Sequence, residues 1–397
     1  MTDTPQQRQP LRVGLVAGEA SGDTLGARLL EALREADPTL EAFGVAGPKM
    51  QAAGCEAWYP AETLSVMGLI EVLPHLPRLL VLRRDIERRF IAARPDVFVG
   101  VDAKEFNLSL SRRLRAAGLT TVQYVSPQVW AWRPGRVRRM HEAVDMVLCL
   151  LPFEKRFYDR EGLRAEFVGH PLADAIPLHP DRGEARRQLG LDPAAQVIAL
   201  LPGSRRGEIT RLTADFAAVA RQLAASRPGL SFVAPMAGDS ARADFEALWK
   251  THAGGIPVQV IDGAAQRVLI ACDAALIASG TATLEAALCK RPMVVVYRMG
   301  ALTAWIIRRF QLVKSAFFAQ PNLLAGRQVV GEYFQEAIDP ARIAAELLGW
   351  LDDAPRRAAL ESTFLDIHQQ LRRDASRRAA AAILDLLATR RGRGAGA

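Results

Sequence analysis

The sequence predicts an α/β protein made of two doubly wound, Rossmann-like domains that face a central cleft. Three observations predict it. Short β-branched apolar runs alternate with longer helical patterns, as in a parallel sheet covered by helices on both faces. The alternation runs twice, with a break around Pro171, Pro177 and Pro180. The 397 residues, half of them apolar and 24% charged, are enough for two cores and too apolar for extensive disorder.

In the first half the strand candidates are Leu11–Ala17, Glu41–Ala46, Asp96–Val101, Thr121–Val125 and Met146–Leu151, with helices in the intervals. After the proline-rich break a second series follows: Val197–Leu201, Leu230–Ala234, Val258–Ile261, Ala274–Ala278 and Met293–Tyr297. Beyond Pro340 the pattern is wholly helical, rich in Ala, Leu and Arg, and closes on a small basic tail, Arg390–Ala397, expected to fray. The expected organisation is therefore 1–172, 173–340 and a helical region 341–397. In doubly wound sheets ligands bind beyond the carboxyl ends of the strands. The loops that follow strands are therefore the places where chemistry is expected.

Composition narrows the function. Met1–Pro10 is polar and lacks the basic and apolar stretches of a secretory signal, so a cytoplasmic location is expected. Cys55, Cys149, Cys272 and Cys289 lie far apart, without metal-binding spacing, and read as reduced, buried side chains. The net charge of +8 favours anionic partners. No nucleic-acid recognition motif accompanies that charge, so no nucleic-acid partner is expected. The longest apolar stretch, Leu64–Leu82, is broken by Glu71, Pro74, His75, Pro77 and Arg78, which leaves only peripheral membrane contact.

Three strand-to-helix turns could hold a phosphate. Gly18-Glu19-Ala20-Ser21-Gly22-Asp23 lets the backbone approach a ligand at a helix start, or is simply a tight turn capped by Asp23. In Gly203-Ser204-Arg205-Arg206-Gly207-Glu208, N–H groups, a hydroxyl and guanidinium groups converge, unless both arginines are merely solvated. Ser279-Gly280-Thr281-Ala282-Thr283-Leu284-Glu285 repeats the pattern: small residues leave room for a diphosphate, and the Glu285 carboxylate could accept both hydroxyls of a ribose or serve a capping box. Asp102, with Lys104, Glu105 and Asn107 behind it, ends a strand and is either a general base for an attacking hydroxyl or a helix cap. Trp130, Trp132 and Arg133 suit sugar or phosphate contact, although isolated tryptophans more often pack. No Asp-x-Asp pair occurs, so no metal and no cofactor are expected, and leaving-group charge falls to arginines and helix dipoles.

Val66, Met67, Leu69, Ile70, Val72, Leu73 and Leu76 form a dense apolar stretch interrupted by prolines and followed by Arg83, Arg84, Arg88 and Arg89. It reads as a flap that enters the headgroup region while arginines meet an anionic membrane surface; the alternative is core packing. Leu302–Val313, with Trp305, Arg308 and Arg309, has similar character.

Together, Gly18–Asp23, Ser126-Pro127 with Val129–Arg133, Leu151–Glu154, Phe167–His170, Leu201–Arg205, Ser279–Glu285 and Pro321–Ala325 closely resemble the lipid-A-disaccharide synthases, in the family's order and over most of the chain. The resemblance implies the GT-B fold and a metal-independent, inverting transfer at the cytoplasmic face of the inner membrane of Gram-negative bacteria. UDP-2,3-diacylglucosamine and 2,3-diacylglucosamine 1-phosphate would be joined through a β-1,6 linkage, with release of UDP. Carried over, Asp102 is the general base, Gly203, Ser204, Arg205, Ser279, Gly280, Thr281 and Thr283 hold the diphosphate, Glu285 the ribose, and Asn322 with Gln335 the donor region. Glu19, Ser21, Gly22, Asp23, Trp132 and Arg133 are expected on the acceptor or cleft side. Many members carry Pro-Asp where this chain has Lys104-Glu105, so no role is carried over to that second acidic position. The family also implies a homodimer contact within 341–397. Two other classes fit parts of the pattern. A nucleotide-sugar 2-epimerase shares the fold but needs a histidine and no apolar flap, and a non-catalytic two-lobed binding protein would normally carry a signal peptide.

Overall fold

The computed structural model describes residues 10–65, 76–127, 135–300, 305, 309 and 316–394. The chain divides into two units, one formed by Met1–Pro171 with Leu371–Ala397 and the other by Leu172–Gln370.

The first unit is built on seven parallel strands: β1 (Arg12–Ala17), β2 (Glu41–Ala46), β3 (Cys55–Pro60), β4 (Val97–Val101), β5 (Thr121–Tyr124), β6 (Met146–Cys149) and β7 (Ala165–Phe167). They lie in the order β3-β2-β1-β4-β5-β6-β7. β4 reads Val-Phe-Val-Gly-Val and is buried at every position, as a strand covered on both faces must be. The intervening helices bury one stripe each; in Ala20–Ala36 it includes Ala27, Leu30 and Leu33. On one side of the sheet Phe43, Trp58, Phe90 and Phe98 pack ring to ring, with centroids 4.8 to 6.3 Å apart.

The second unit carries six parallel strands, β8 (Val197–Leu201), β9 (Ser231–Met236), β10 (Gln259–Asp262), β11 (Ala274–Ala278), β12 (Met293–Tyr297) and β13 (Gly331–Phe334). Their order is β10-β9-β8-β11-β12-β13. Its longest helix, Arg206–Ser226, turns Ile209, Leu212, Phe216, Val219 and Leu223 to the core, a spacing of three or four residues. Each such side chain contributes about 1.5–3 kcal/mol by leaving water.

All ten expected strands are present to within two residues, and β3, β7 and β13 were not expected. The region 341–397, expected as one group of helices, is divided instead. Pro340–Asp352 and most of Ala354–Leu371 belong to the second unit, while Ala375–Gly394 belongs to the first. The reason is specific pairing. Arg390 bonds Thr120 and Asp145, each at 2.9 Å, Arg391 bonds Asp96 and Arg377 bonds Glu35, fixing the last helix to the first unit. The four cysteines are free and buried, and burial pushes the thiols of Cys55 and Cys272 up to about 12.

The strand order places the ligand-binding loops. In the first sheet the order reverses between β1 and β4, where Ala17 lies opposite Val101; in the second it reverses between β8 and β11, where Leu201 lies opposite Ile277. The turns after β1 and β4 therefore begin side by side, as do those after β8 and β11.

Candidate active site

In the first unit the chain leaves β4 under strain. Asp102 and Ala103 have φ of 50° and 36°, and Val125, just past β5, has φ of 77°. Non-glycine residues rarely adopt this region, least of all a β-branched valine, and such strain persists only where surroundings over-determine it. Here two buried amides do so. Asn107 Nδ2 and Gln123 Nε2 each donate to the Asp102 carbonyl at 3.0 Å, and Gln123 Nε2 also reaches the Val125 carbonyl at 3.3 Å. The Asp102 N–H donates to the Tyr124 carbonyl at 2.9 Å. Gly100 makes room, since a Cβ there would sit 2.8 Å from Asn107 Cβ and 3.0 Å from Gln123 Oε1. With its main chain held, Asp102 does not cap the following helix: Ala103 is the N-cap of Lys104–Ala116 and makes no side-chain bond. The half-buried Asp102 carboxylate has no hydrogen bond or ion pair among the described residues. Lys104 and Glu105 beside it are exposed.

The neighbouring turn after β1 exposes Glu19 and Ser21 and buries Gly22. Asp23, expected on the acceptor side, is only 4% exposed, and its two oxygens accept the N–H groups of Lys49 and Met50 at 3.0 Å. It secures the start of the helix Pro48–Ala52 and presents no free carboxylate to a ligand.

In the second unit Gly203 has φ of 122°, and a Cβ there would lie 2.4 Å from Glu208 Oε2. That oxygen accepts the N–H groups of Ser204 at 3.2 Å and Arg205 at 3.4 Å. These amides, expected to face a phosphate, are thus spoken for by the helix's own third residue. What remains for an anion is the Arg205 guanidinium, 75% exposed and only 3.8 Å from Glu208, whereas Arg206 is drawn to Asp244 at 3.0 Å.

The turn after β11 is the more open of the two. Among the described residues nothing lies within 4 Å of a Cβ placed on Gly280, and Thr281 is exposed at the start of the helix Thr281–Leu288. Ser279 Oγ reaches the Phe318 carbonyl at 3.4 Å. Thr283 is fully buried and structural: its hydroxyl donates to the Gly280 carbonyl at 2.8 Å. Glu285, one turn in, forms no capping box and has no hydrogen bond or ion pair among the described residues. Burial alone raises its pKa. A carboxylate kept from water without a donor gains strongly from hydroxyls that supply hydrogen bonds.

Asn322 and Gln335, expected at the donor, turn their amides inward. Asn322 is fully buried; its Oδ1 accepts Val329 and Val330 N–H groups at 2.7 and 3.0 Å, and its Nδ2 donates to Val330 O and Glu332. Gln335 exchanges two hydrogen bonds with the backbone of Met299. Both act by fixing loops. A feature with no motif to announce it is the trio Tyr297, Phe318 and Phe334, with centroids 5.9 to 6.3 Å apart at the carboxyl ends of β12 and β13. Its only signal in the sequence is that Tyr297 ends an expected strand. Val66, Met67, Leu69, Ile70, Val72, Leu73, Trp132 and Arg133 lie outside the described residues, as does the side chain of Leu76.

The sequence model of the family described as "LpxB: Lipid-A-disaccharide synthetase" matches residues 13–384. The chain is 50% identical over 382 residues to a lipid-A-disaccharide synthase of Pectobacterium carotovorum subsp. carotovorum (strain PC1), covering 96% of this chain and 99% of that one. It is 52% identical over 380 residues to the enzyme of that name from Pseudomonas aeruginosa (strain UCBPP-PA14), with the same coverage. Among solved structures it is similar to a UDP-GlcNAc 2-epimerase from Neisseria meningitidis bound to UDP-GlcNAc (TM-score 0.63, 14% identity, 94% of this chain and 100% of that one). It is also similar to CalG4, the calicheamicin glycosyltransferase (TM-score 0.57, 18% identity, 96% and 99%). These two likenesses concern the fold, which glycosyltransferases and epimerases share.

Proposed function

The chain belongs to the lipid-A-disaccharide synthase family, and on that premise we propose how it makes the lipid A disaccharide. It is a hexosyltransferase of lipid A biosynthesis that joins UDP-2,3-diacylglucosamine to 2,3-diacylglucosamine 1-phosphate, giving the β-1,6-linked disaccharide 1-phosphate and UDP. Asp102 takes the proton of the acceptor's 6-hydroxyl as that oxygen attacks the anomeric carbon in line with the departing UDP. The observation that carries this mechanism is the Asp102 carboxylate itself, unpaired among the described residues on a strained, doubly clamped main chain. Arg205 and the N–H groups at the start of the helix Thr281–Leu288 meet the diphosphate charge. Ser279, Gly280 and Thr281 leave it room, Glu285 accepts the ribose hydroxyls, and Asn322, Gln335 and Thr283 hold these turns in place. Glu19 and Ser21 face the acceptor.

The experiment is direct. Purified protein is incubated with both substrates in the presence of a chelator, and the lipid product is identified by mass spectrometry. A disaccharide 1-phosphate and UDP are expected; an isomerised UDP-sugar formed without acceptor would instead mark an epimerase, and no turnover until a divalent ion is added would end the metal-free mechanism.

Glu285 predicts a pH effect on UDP affinity. Its folded pKa is raised, so the carboxyl favours folding while protonated, and that contribution is lost as pH rises through the raised value. Ribose hydroxyls bind the ionised form. UDP affinity is therefore expected to fall on acidification, beginning above the ordinary carboxylate range. In Glu285→Gln this limb disappears and affinity at neutral pH drops about tenfold or more, as for lost hydrogen bonds to a charged acceptor. An unchanged pH profile measured by calorimetry would take the ribose from Glu285.

The same reading places the enzyme in the cytoplasm against an anionic membrane surface, where its acyl-chain substrates reside, with 341–397 as a homodimer contact. No helix among the described residues is long and apolar enough to cross a bilayer. Replacing Leu69 and Leu73 together by glutamate is expected to weaken sedimentation with anionic liposomes at least about tenfold. Equal binding would return that stretch to the core.

A further inference from the structure

At the amino ends of the second sheet, opposite the donor turns, lies a polar cavity of about 180 Å³ lined by Arg182, Asp273, Lys290, Arg291, Pro292, Arg357 and Glu361. Asp273 directly precedes β11 and Pro292 directly precedes β12, whereas the donor turns follow β8 and β11. The five residues of β11 separate the two places by roughly 15 Å.

Four cations from three segments line this cavity, Arg182, Lys290 with Arg291, and Arg357, beside two acids, Asp273 and Glu361. Asp273 is already saturated: it pairs with Arg182 and with Arg186, the latter at 2.9 Å, and accepts the Val197 N–H at 2.8 Å. Lys290 is 5% exposed and donates to the Leu288 carbonyl at 2.7 Å, the Pro177 carbonyl at 3.2 Å and His368 Nδ1 at 2.6 Å, so its hydrogens are already committed. Arg357 likewise spends one nitrogen on the Trp350 and Leu351 carbonyls, both at 2.6 Å. The Arg291 side chain has no hydrogen bond or ion pair among the described residues, and its Nε, like that of Arg182, is buried without an acceptor. Glu361, the other acid of the lining, is exposed. A half-buried guanidinium without a counter-charge is costly, and a doubly charged anion that accepts from planar forks relieves it.

We propose that this cavity is a second anion site, separate from the UDP site, that takes a phosphate group held chiefly by Arg291 and Arg357. The group is either free inorganic phosphate or the monoester phosphate of a lipid headgroup, since both present the same dianion. The inference does not rest on the glycosyl-transfer reading.

Calorimetric titration of the whole protein with inorganic phosphate tests it. Phosphate is expected to bind, and to bind as well when UDP is saturating. Arg291→Gln should weaken it about tenfold or more while leaving UDP affinity unchanged, Arg357→Gln should act in the same direction, and Arg291→Lys should fall between. Vesicles of phosphatidylcholine with phosphatidic acid, compared with phosphatidylcholine alone, separate the sources. Competition with phosphate by the acidic vesicles points to a headgroup, and its absence points to the free ion. Phosphate that binds both glutamine variants as it binds the parent, that UDP displaces, or that does not bind at all would overturn the proposal.

Discussion

Asp102→Asn is expected to lower the rate of disaccharide formation by about a hundredfold or more, the usual scale for a lost general base, while UDP affinity and the melting temperature stay near those of the parent. Asparagine is the informative replacement. Like aspartate it tolerates the left-handed backbone at this position, φ of 50°, and it keeps the carbonyl that Asn107 and Gln123 grip, so only the proton acceptor is removed. Because the carboxylate has no partner among the described residues, its loss leaves no buried donor stranded. The fall should be in kcat more than in KM, because proton removal belongs to the transition state. The measurement is the rate with both lipid substrates; near-parent turnover would remove Asp102 from the chemistry.

Arg205→Ala should be comparably severe for a different reason. If no metal meets the negative charge that builds on the departing UDP, that task falls to guanidinium and helix-start N–H groups, and removal of one such donor typically costs a hundredfold to a thousandfold in rate. The substitution should spare the fold. Arg205 is 75% exposed and its only ion pair among the described residues is a loose 3.8 Å approach to Glu208, so little native packing is lost. Arg205→Lys is expected to recover part of the rate, since a point charge replaces a planar fork. Single-turnover kinetics with matched melting curves decide the matter, and an equal rate in Arg205→Ala would shift the diphosphate wholly to the turn at Gly280.

What the sequence made legible follows from burial. Central strands such as β4, β8 and β11 are apolar at every position because both faces are covered, and runs like Val-Ile-Ala-Leu-Leu stand out. The strands that escaped notice all lie at sheet edges. β3 mixes Glu56, Trp58 and Pro60 in a half-exposed strand, β7 is three residues long, and β13 begins Gly-Glu. The candidate catalytic acid could be read from its place after a strand. The two amides that lock it could not: Gln123 is a lone polar residue inside β5 and Asn107 sits a turn into a helix, and only the register of β4 against β5 brings them together. The reverse holds for Asp23, Asn322 and Gln335. Asp23 and Asn322 stand in motifs that carry the resemblance and Gln335 is implied with them, yet their polar atoms are bonded mainly to backbone N–H and carbonyl groups. A motif records that a loop must keep its shape as readily as it records contact with a ligand, and sequence does not distinguish the two.

The return of the helix Ala375–Gly394 to the first unit governs the order of events during synthesis. Roughly two hundred residues of the other unit are threaded between the two parts of the first. At about 5–20 residues per second the ribosome needs on the order of ten to forty seconds to produce them. Throughout that interval the surface that will receive Arg377, Arg390 and Arg391 waits uncovered, while the inserted unit is emitted in one stretch and can mature first. A nascent chain stalled near residue 371 should therefore yield a protease-resistant inner unit and a sensitive outer one, and release of the final helix should close the gap.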